Sequence, residues 1–284
     1  MVYNQIENLG QGTRNINESK YDKPYIPEEF KYLEGTVDTG FVIKDKTNSN
    51  EFVWVPVENI SEYKRGVSSD IRDLSEYFEE ENEINKKLKS SVEKYGGFYI
   101  GRYETRYEGQ AQYLEGSEGT YWVGDIVPVV KSSANVWNYI SNEYAKDVAS
   151  KMYVNTTKSS LINSYAYDTT LNWLISTNNK TKEQVCIDST SWGNYLDSSI
   201  YGVLSYTEEN GINSVLSSEN SITKEAGKAL IINSLSSDYT CANNIYDLAG
   251  NVYEWTTEKY YDKCIGRGGR FERTGSDGVD AENG

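Results

Sequence analysis

The stretch NNIYDLAGNVYEWT, residues 243–256, decides how the rest of the chain is read. It sets two acids, Asp247 and Glu254, seven residues apart, with Gly250 between them and aromatic residues beside them. Carboxylates are seldom buried without a partner, so two of them in an apolar context demand an explanation. Two carboxylates together with turn carbonyls are hard oxygen donors of the kind calcium takes. The competing explanation is structural. Asp247 caps a turn and Glu254 pairs with an arginine such as Arg267. Asn251 suits a side-chain bond to its own turn. Tyr253 and Trp255 read as core residues. CIGRGGRF follows at once, residues 264–271.

Working outward, the 284 residues suit one large domain or two small ones, with about three quarters of the unfolded surface buried. The formal net charge of −15 disfavours nucleic acid and anionic membrane surfaces as partners. The chain has no histidine. That removes the usual general base and the commonest transition-metal ligand, and with them Ser-His-Asp and Cys-His catalysis. The three cysteines, Cys186, Cys241 and Cys264, form no C-x-x-C pair. Cys241 and Cys264 flank the opening motif; a bridge between them and three unpaired thiols are both compatible with the spacing. No apolar run reaches the roughly 18 residues of a membrane-spanning helix, and the polar start shows no signal-peptide core.

Residues 1–22 are polar and aperiodic and read as a tail or linker, leaving 23–284 as the domain. TGFVIKD (39–45) and EFVWVPV (51–57) predict a hairpin. Its second strand has Phe52 and Trp54 on one face, Val53 and Val55 on the other, so both faces are expected to be buried. In residues 80–95, Ile84, Leu88, Val92 and Tyr95 form one helical stripe, Glu83 and Lys87 a supporting pair, and Gly96-Gly97 a stop. GGFYIGRYETRYEG (96–109) reads as a strand with Phe98, Ile100 and Tyr103 inward. A second helix is predicted over 133–153, from Val136, Ile140, Tyr144, Val148 and Met152, and a third over 165–176, from Tyr167, Leu171 and Leu174. Residues 177–242 show little periodicity and read as long loops. The 25 tyrosines suit a surface that presents amphipathic side chains to a ligand, and equally suit a compositional bias.

Taken in order, EFVWVPV, GGFYIGRYETRYEG, a Trp-bearing helix, SYAYDTTLNWL, NNIYDLAGNVYEWT and GRGGRF resemble the formylglycine-generating-enzyme-like (sulfatase-modifying-factor) family over residues 24–271. The resemblance implies an α+β, C-type-lectin-like fold with short antiparallel sheets, two or three helices and long ordered loops. It implies a structural Ca²⁺ held by Asp247 and Glu254 with the backbone carbonyls of Gly250 and Val252. It also implies that Arg267-Gly268-Gly269 lies in a core strand, the arginine in an internal salt bridge. The enzymes of the family carry a cysteine pair after the GG or histidine ligands. Here Arg270-Phe271-Glu272-Arg273-Thr274-Gly275-Ser276-Asp277-Gly278 follows, without a thiol. The expectation is therefore a non-catalytic module that binds a protein or glycan at a cell surface, with Trp122, Trp192, Tyr195 and Tyr201 as candidate contacts. The alternatives are a structural component of a pilus-like or phage-derived assembly and an oxidoreductase of the formylglycine-generating kind. Family members continue past the RGG strand into a closing strand, so the end at Gly284 reads as a truncation. The region near Pro24 and Pro27 is similar to surface proteins in which a pilin-like segment precedes such a domain, which implies an extracellular location, whereas the polar start taken by itself reads as cytosolic. No transmembrane segment is read in the chain itself.

Overall fold

The computed structural model describes residues 4–8, 12–13, 23–67, 79–116, 119–132, 135–137, 140–155, 157–207, 213–216, 218–233, 237–260 and 263–276. It mixes α and β structure, with few helices and short antiparallel sheets. The largest sheet has six strands, in the order Thr157–Leu161, Asn4–Asn8, Gly97–Gly101, Glu51–Pro56, Phe41–Asp45 and Phe30–Glu34. Every neighbouring pair in it is antiparallel.

The strand Glu51–Pro56 shows why this sheet forms the centre of the molecule. Its side chains alternate between two cores, as its sequence predicts. Val53 and Val55 join Val42, Phe98, Ile100, Leu171 and Leu174 on one face. Phe52 and Trp54 join Phe30, Ile43, Tyr99, Tyr103 and Tyr153 on the other. Both faces are covered, so the strand carries no polar alternation. Trp54 is 0 % exposed and meets the Tyr99 ring edge-on, with centroids 5.0 Å apart.

Helix α1, Glu79–Tyr95, lays Leu88, Val92 and Tyr95 against the sheet. The Gly96 N–H closes it on Val92 O, with φ at +80°. Gly97 must be glycine. A Cβ there would stand 2.4 Å from Val55 O and 2.5 Å from the Trp54 ring. Glu83 pairs with Lys86 rather than with Lys87. Helix α3, Ser164–Ser176, matches the expected span within one residue. Its cap is Asn163, whose Oδ1 accepts from Ala166 N at 2.8 Å.

Three expectations change. The second helix is shorter than 133–153. Helix α2 spans Asn142–Lys151, capped by Ser141, and Asn135–Val136 is a strand beside Arg106 and Tyr107. Val136 and Ile140 are still buried, so the four-residue spacing marked apolar positions that only partly share a helix. The stretch 1–22 is not wholly a tail, since Asn4–Asn8 pairs with both Gly97–Gly101 and Thr157–Leu161. Ladder bonds use backbone groups that any residue carries, so a polar sequence does not forbid them. Residues 177–242 contain a short helix, Lys182–Cys186, and small antiparallel strands such as Ile200–Val203 with Ile222–Lys224. Strands this short leave too few residues for an alternation to register. Lys224 is fully buried among them, and its Nζ donates to Tyr195 O at 2.5 Å and Ser198 O at 2.8 Å. Burial pulls its pKa down to about 8, with Asp197 opposing. Residues 277–284 lie outside the described residues.

Trp54→Ala should cost about 3–5 kcal/mol, because the cavity opens where the sheet has protein on both sides. Urea denaturation checks this. A loss under about 1 kcal/mol would contradict the two-sided burial.

Candidate functional site, a closed carboxylate cluster

The chain turns sharply through 243–251 because its residue types allow it. Asn243, Asn244, Asp247, Gly250 and Asn251 all have positive φ, between 45° and 71°. Asn, Asp and Gly are the residues that enter the left-handed region at least cost. The turn then feeds the strand Glu254–Tyr260, which pairs with Lys263–Arg267.

Asn251 is the hub of this corner, and it does not bond its own turn through its side chain. Its Nδ2 donates to Glu104 Oε2 at 3.0 Å. Its Oδ1 accepts from Asn194 Nδ2 at 2.9 Å and from Ile232 N at 3.1 Å. Its N–H donates to Asn194 O, and its carbonyl accepts from Phe271 N. One fully buried residue thus ties four distant segments together, three through its side chain and the fourth through its carbonyl.

Three acids meet here, all 0 % exposed: Glu104, Asp247 and Glu254. Asp247 Oδ1 accepts from Thr240 Oγ1 at 2.7 Å, and Oδ2 lies 4.0 Å from Arg106 Nη2, a guanidinium that is itself buried. Glu254 differs. Neither of its carboxylate oxygens has a hydrogen-bond partner among the described residues, nor does Glu104 Oε1. The two glutamates lie within hydrogen-bonding reach of each other. Two ionised carboxylates are both acceptors, so they cannot bond until a proton or a cation comes between them. Burial, and then the charge of Glu104, holds Glu254 well above the ordinary carboxylate range. Burial, and then Asp247, does the same to Glu104, against the pull of Arg106. Gly268 packs directly on this group. A Cβ at that position would lie 1.9 Å from Glu254 Oε2.

A second buried network is balanced by contrast. Arg267 donates to Glu258 through Nε at 2.8 Å and Nη2 at 2.7 Å. Arg65 adds a bond at 3.1 Å, and Arg267 Nη1 lies 3.9 Å from Asp168 Oδ1. Gly66 N donates to Asp168 Oδ2 at 2.6 Å. Burial pushes Glu258 upward, but Arg267 and Arg65 outweigh it and hold the acid below its usual range. Burial raises Asp168 to about 6, opposed by Arg267 and reinforced by Glu258. Arg267 therefore serves an internal salt bridge, with Glu258 and not with Glu254.

Trp192 and Tyr195 are not surface contacts. Trp192 is 2 % exposed with Nε1 on Gln184 O at 3.0 Å, and Tyr195 is fully buried with its hydroxyl on Gly268 O at 2.8 Å. Each indole or phenol finds a backbone acceptor inside, which lets so large a ring be enclosed. Tyr201 is 72 % exposed. Trp122 lies on the strand Gly119–Val129, and its side chain is outside the described residues. Tyr253 and Trp255 are half-buried rather than core, Trp255 donating to Ile140 O at 2.7 Å. Val252 is buried, and Gly269 shares the left-handed backbone of Gly268. None of the three cysteines is in a disulfide, so Cys241 and Cys264 form no bridge.

As calcium ligands, these positions divide. Glu254 brings two uncommitted oxygens, while the oxygens of Asp247 face Thr240 and Arg106. Among the described residues no group of three or more Asp, Glu or Cys side chains stands ready to hold a metal ion. Among the described residues of this corner the carboxylate oxygens left without a donor are both of Glu254 and Oε1 of Glu104, so further ligands would have to be carbonyls such as those of Gly250 and Val252. Sequence reasoning missed Glu104 and Arg106, although charged residues alternating with aromatics in GRYETRY carried the signal. It also missed Asn194, which no local pattern marks.

Compared with protein-family models, with curated proteins and with solved structures, the chain matches none. Among the described residues no helix is long and apolar enough to cross a membrane.

An acid raised in the folded state binds its proton more tightly there than in the unfolded chain. Asp168 should thus add stability as the pH falls through about 6 toward its unfolded value. Wild-type chain compared with Asp168→Asn by urea unfolding between pH 8 and pH 5 should gain relative stability on acidification. A constant difference would refute the raised pKa.

Proposed function

We propose that the chain is a non-catalytic binding module of C-type-lectin-like, sulfatase-modifying-factor type, presented outside the cell to a protein or glycan. In this reading the 243–258 corner is its structural anchor. The observation that carries the reading is the closure of the carboxylate cluster. Glu104, Asp247 and Glu254 are the acids placed closest to an enzyme-like constellation, and all are 0 % exposed. A group that no substrate reaches acts on the fold, not on a ligand. What it supports is a set of loops with large side chains left in water, Tyr201 and Ile187 among them.

A structural Ca²⁺ fits the same logic. With its three acids ionised against Arg106 the cluster is negative among the described residues, and Glu254 has no donor among them. The ion would be held by Glu254 and Glu104 with the carbonyls of Gly250 and Val252, and Asp247 would complete the acidic surround. It would supply charge neutralisation and cross-linking of the turn.

Thermal unfolding in millimolar calcium and then in EDTA tests the anchor. Calcium at a hundredfold over its dissociation constant adds about 2.7 kcal/mol. For a chain of this size that is about 5–10 °C in midpoint. Glu254→Ala should abolish the difference. Coincident melting curves for the wild-type chain, with and without calcium, would overturn the metal and leave a shared proton between Glu104 and Glu254.

A further inference from the structure

A cleft of about 440 Å³ lies away from the carboxylate cluster, between helix α2 and the base of the long hairpin formed by Arg106–Gly116 and Gly119–Val129. The volume is within the range of about 300–1,000 Å³ usual for small-molecule sites. Two of the large apolar side chains that the described surface leaves in water line it, Val127 at 60 % and Tyr144 at 38 % exposure. Tyr144 is anchored from behind by the Trp137 ring, edge-on with centroids 5.9 Å apart.

The charges of this cleft cancel. Lys131 Nζ donates to both oxygens of Glu108 at 2.9 Å, and Lys151 Nζ donates to Asp147 Oδ2 at 2.6 Å. All four line the same cleft. In a chain of net charge −15 this is a locally neutral surface. It offers no field to concentrate either anions or cations. Each ion pair nevertheless keeps hydrogen-bonding capacity, since a carboxylate has about four lone-pair sites and an ammonium three donors. Asn48 adds an exposed amide on the rim.

We infer that this cleft is a carbohydrate subsite, taking a neutral sugar whose apolar face stacks on Tyr144 while its hydroxyls bond Asn48 and the paired charges. A neutral polyol with one apolar face is the ligand class that matches a mixed lining of zero net charge. The inference rests on the reading of the chain as a binding module, and it names the glycan arm of that reading and its location.

Saturation-transfer NMR with millimolar methyl glycosides of glucose, galactose, mannose and N-acetylglucosamine, and with glucuronate, tests it. Wild-type chain should bind at least one neutral glycoside. Tyr144→Ala and Val127→Glu should each weaken that binding about tenfold or more, and Tyr201→Ala should leave it unchanged. Val127 stands well out in water, so Val127→Glu should keep the wild-type melting curve, while Tyr144→Ala gives up one ring contact with Trp137 and should still melt cooperatively. Neutral-sugar binding that survives both cleft variants but falls with Tyr201→Ala would overturn the cleft and keep the module. Preference for glucuronate would overturn the argument from neutrality. Absence of binding to any glycoside by folded wild-type chain would overturn the subsite. Protein capture from cell-surface extract by the same sample would then show that the module reading stands without it.

Discussion

Glu104 and Glu254 face each other inside the protein, both 0 % exposed, and three of their four oxygens have no donor among the described residues. This is the constraint around which the C-terminal half is arranged. Like charges at such range cannot both be ionised in a dry interior, so the corner holds together only with a proton or a cation in place. The Asn251 side chain is fixed by the same requirement, because its Nδ2 gives Glu104 Oε2 a hydrogen bond. Through Asn251 the constraint passes to Asn194, to Ile232 and to Phe271. Gly268 has no side chain because the Glu254 carboxylate fills that space.

The two buried ionic networks make opposite use of the same strand. Glu254 and Glu258 both lie on Glu254–Tyr260 and both are enclosed. Glu258 receives a bidentate guanidinium from Arg267 and a further bond from Arg65, and it stays ionised. Glu254 receives neither. A ladder irregularity between Trp255 and Lys259 separates them, so Arg267 stands opposite Glu254 in register yet bonds Glu258. The strand therefore carries one self-sufficient clamp and one that depends on what is bound between its acids.

Much of the fold was legible where one physical signal dominated. The alternation in EFVWVPV announced a sheet covered on both sides. The stripe of Leu88, Val92 and Tyr95 and the run SYAYDTTLNWL gave α1 and α3, since both helices are long and packed on one continuous surface. Legibility failed where backbone pairing or long-range contact decided the outcome. Ser141 and the strand Asn135–Val136 cut the second helix short, and a spacing of four cannot tell a helix from apolar residues in neighbouring elements. Asp247 and Glu254 stood out as acids among aromatics, but Glu104 lies 150 residues before Glu254, and only the fold brings it there. Trp192 and Tyr195 carried the marks of surface aromatics because a sequence does not show which backbone carbonyls a ring can reach.

The strand Asn4–Asn8 has a consequence for the order in which the molecule assembles. It pairs with Thr157–Leu161, so the chain must close a loop of about 150 residues to seat it. Nothing local helps, and contacts of such sequence separation form slowly. Until it arrives, Gly97–Gly101 and Thr157–Leu161 each present an unpaired row of backbone donors and acceptors, one strand in from the edge of what will become the main sheet. A nascent chain in that state offers a strand-shaped vacancy to any extended peptide nearby, so crowding during synthesis is the condition under which this fold is most exposed to mispairing between molecules.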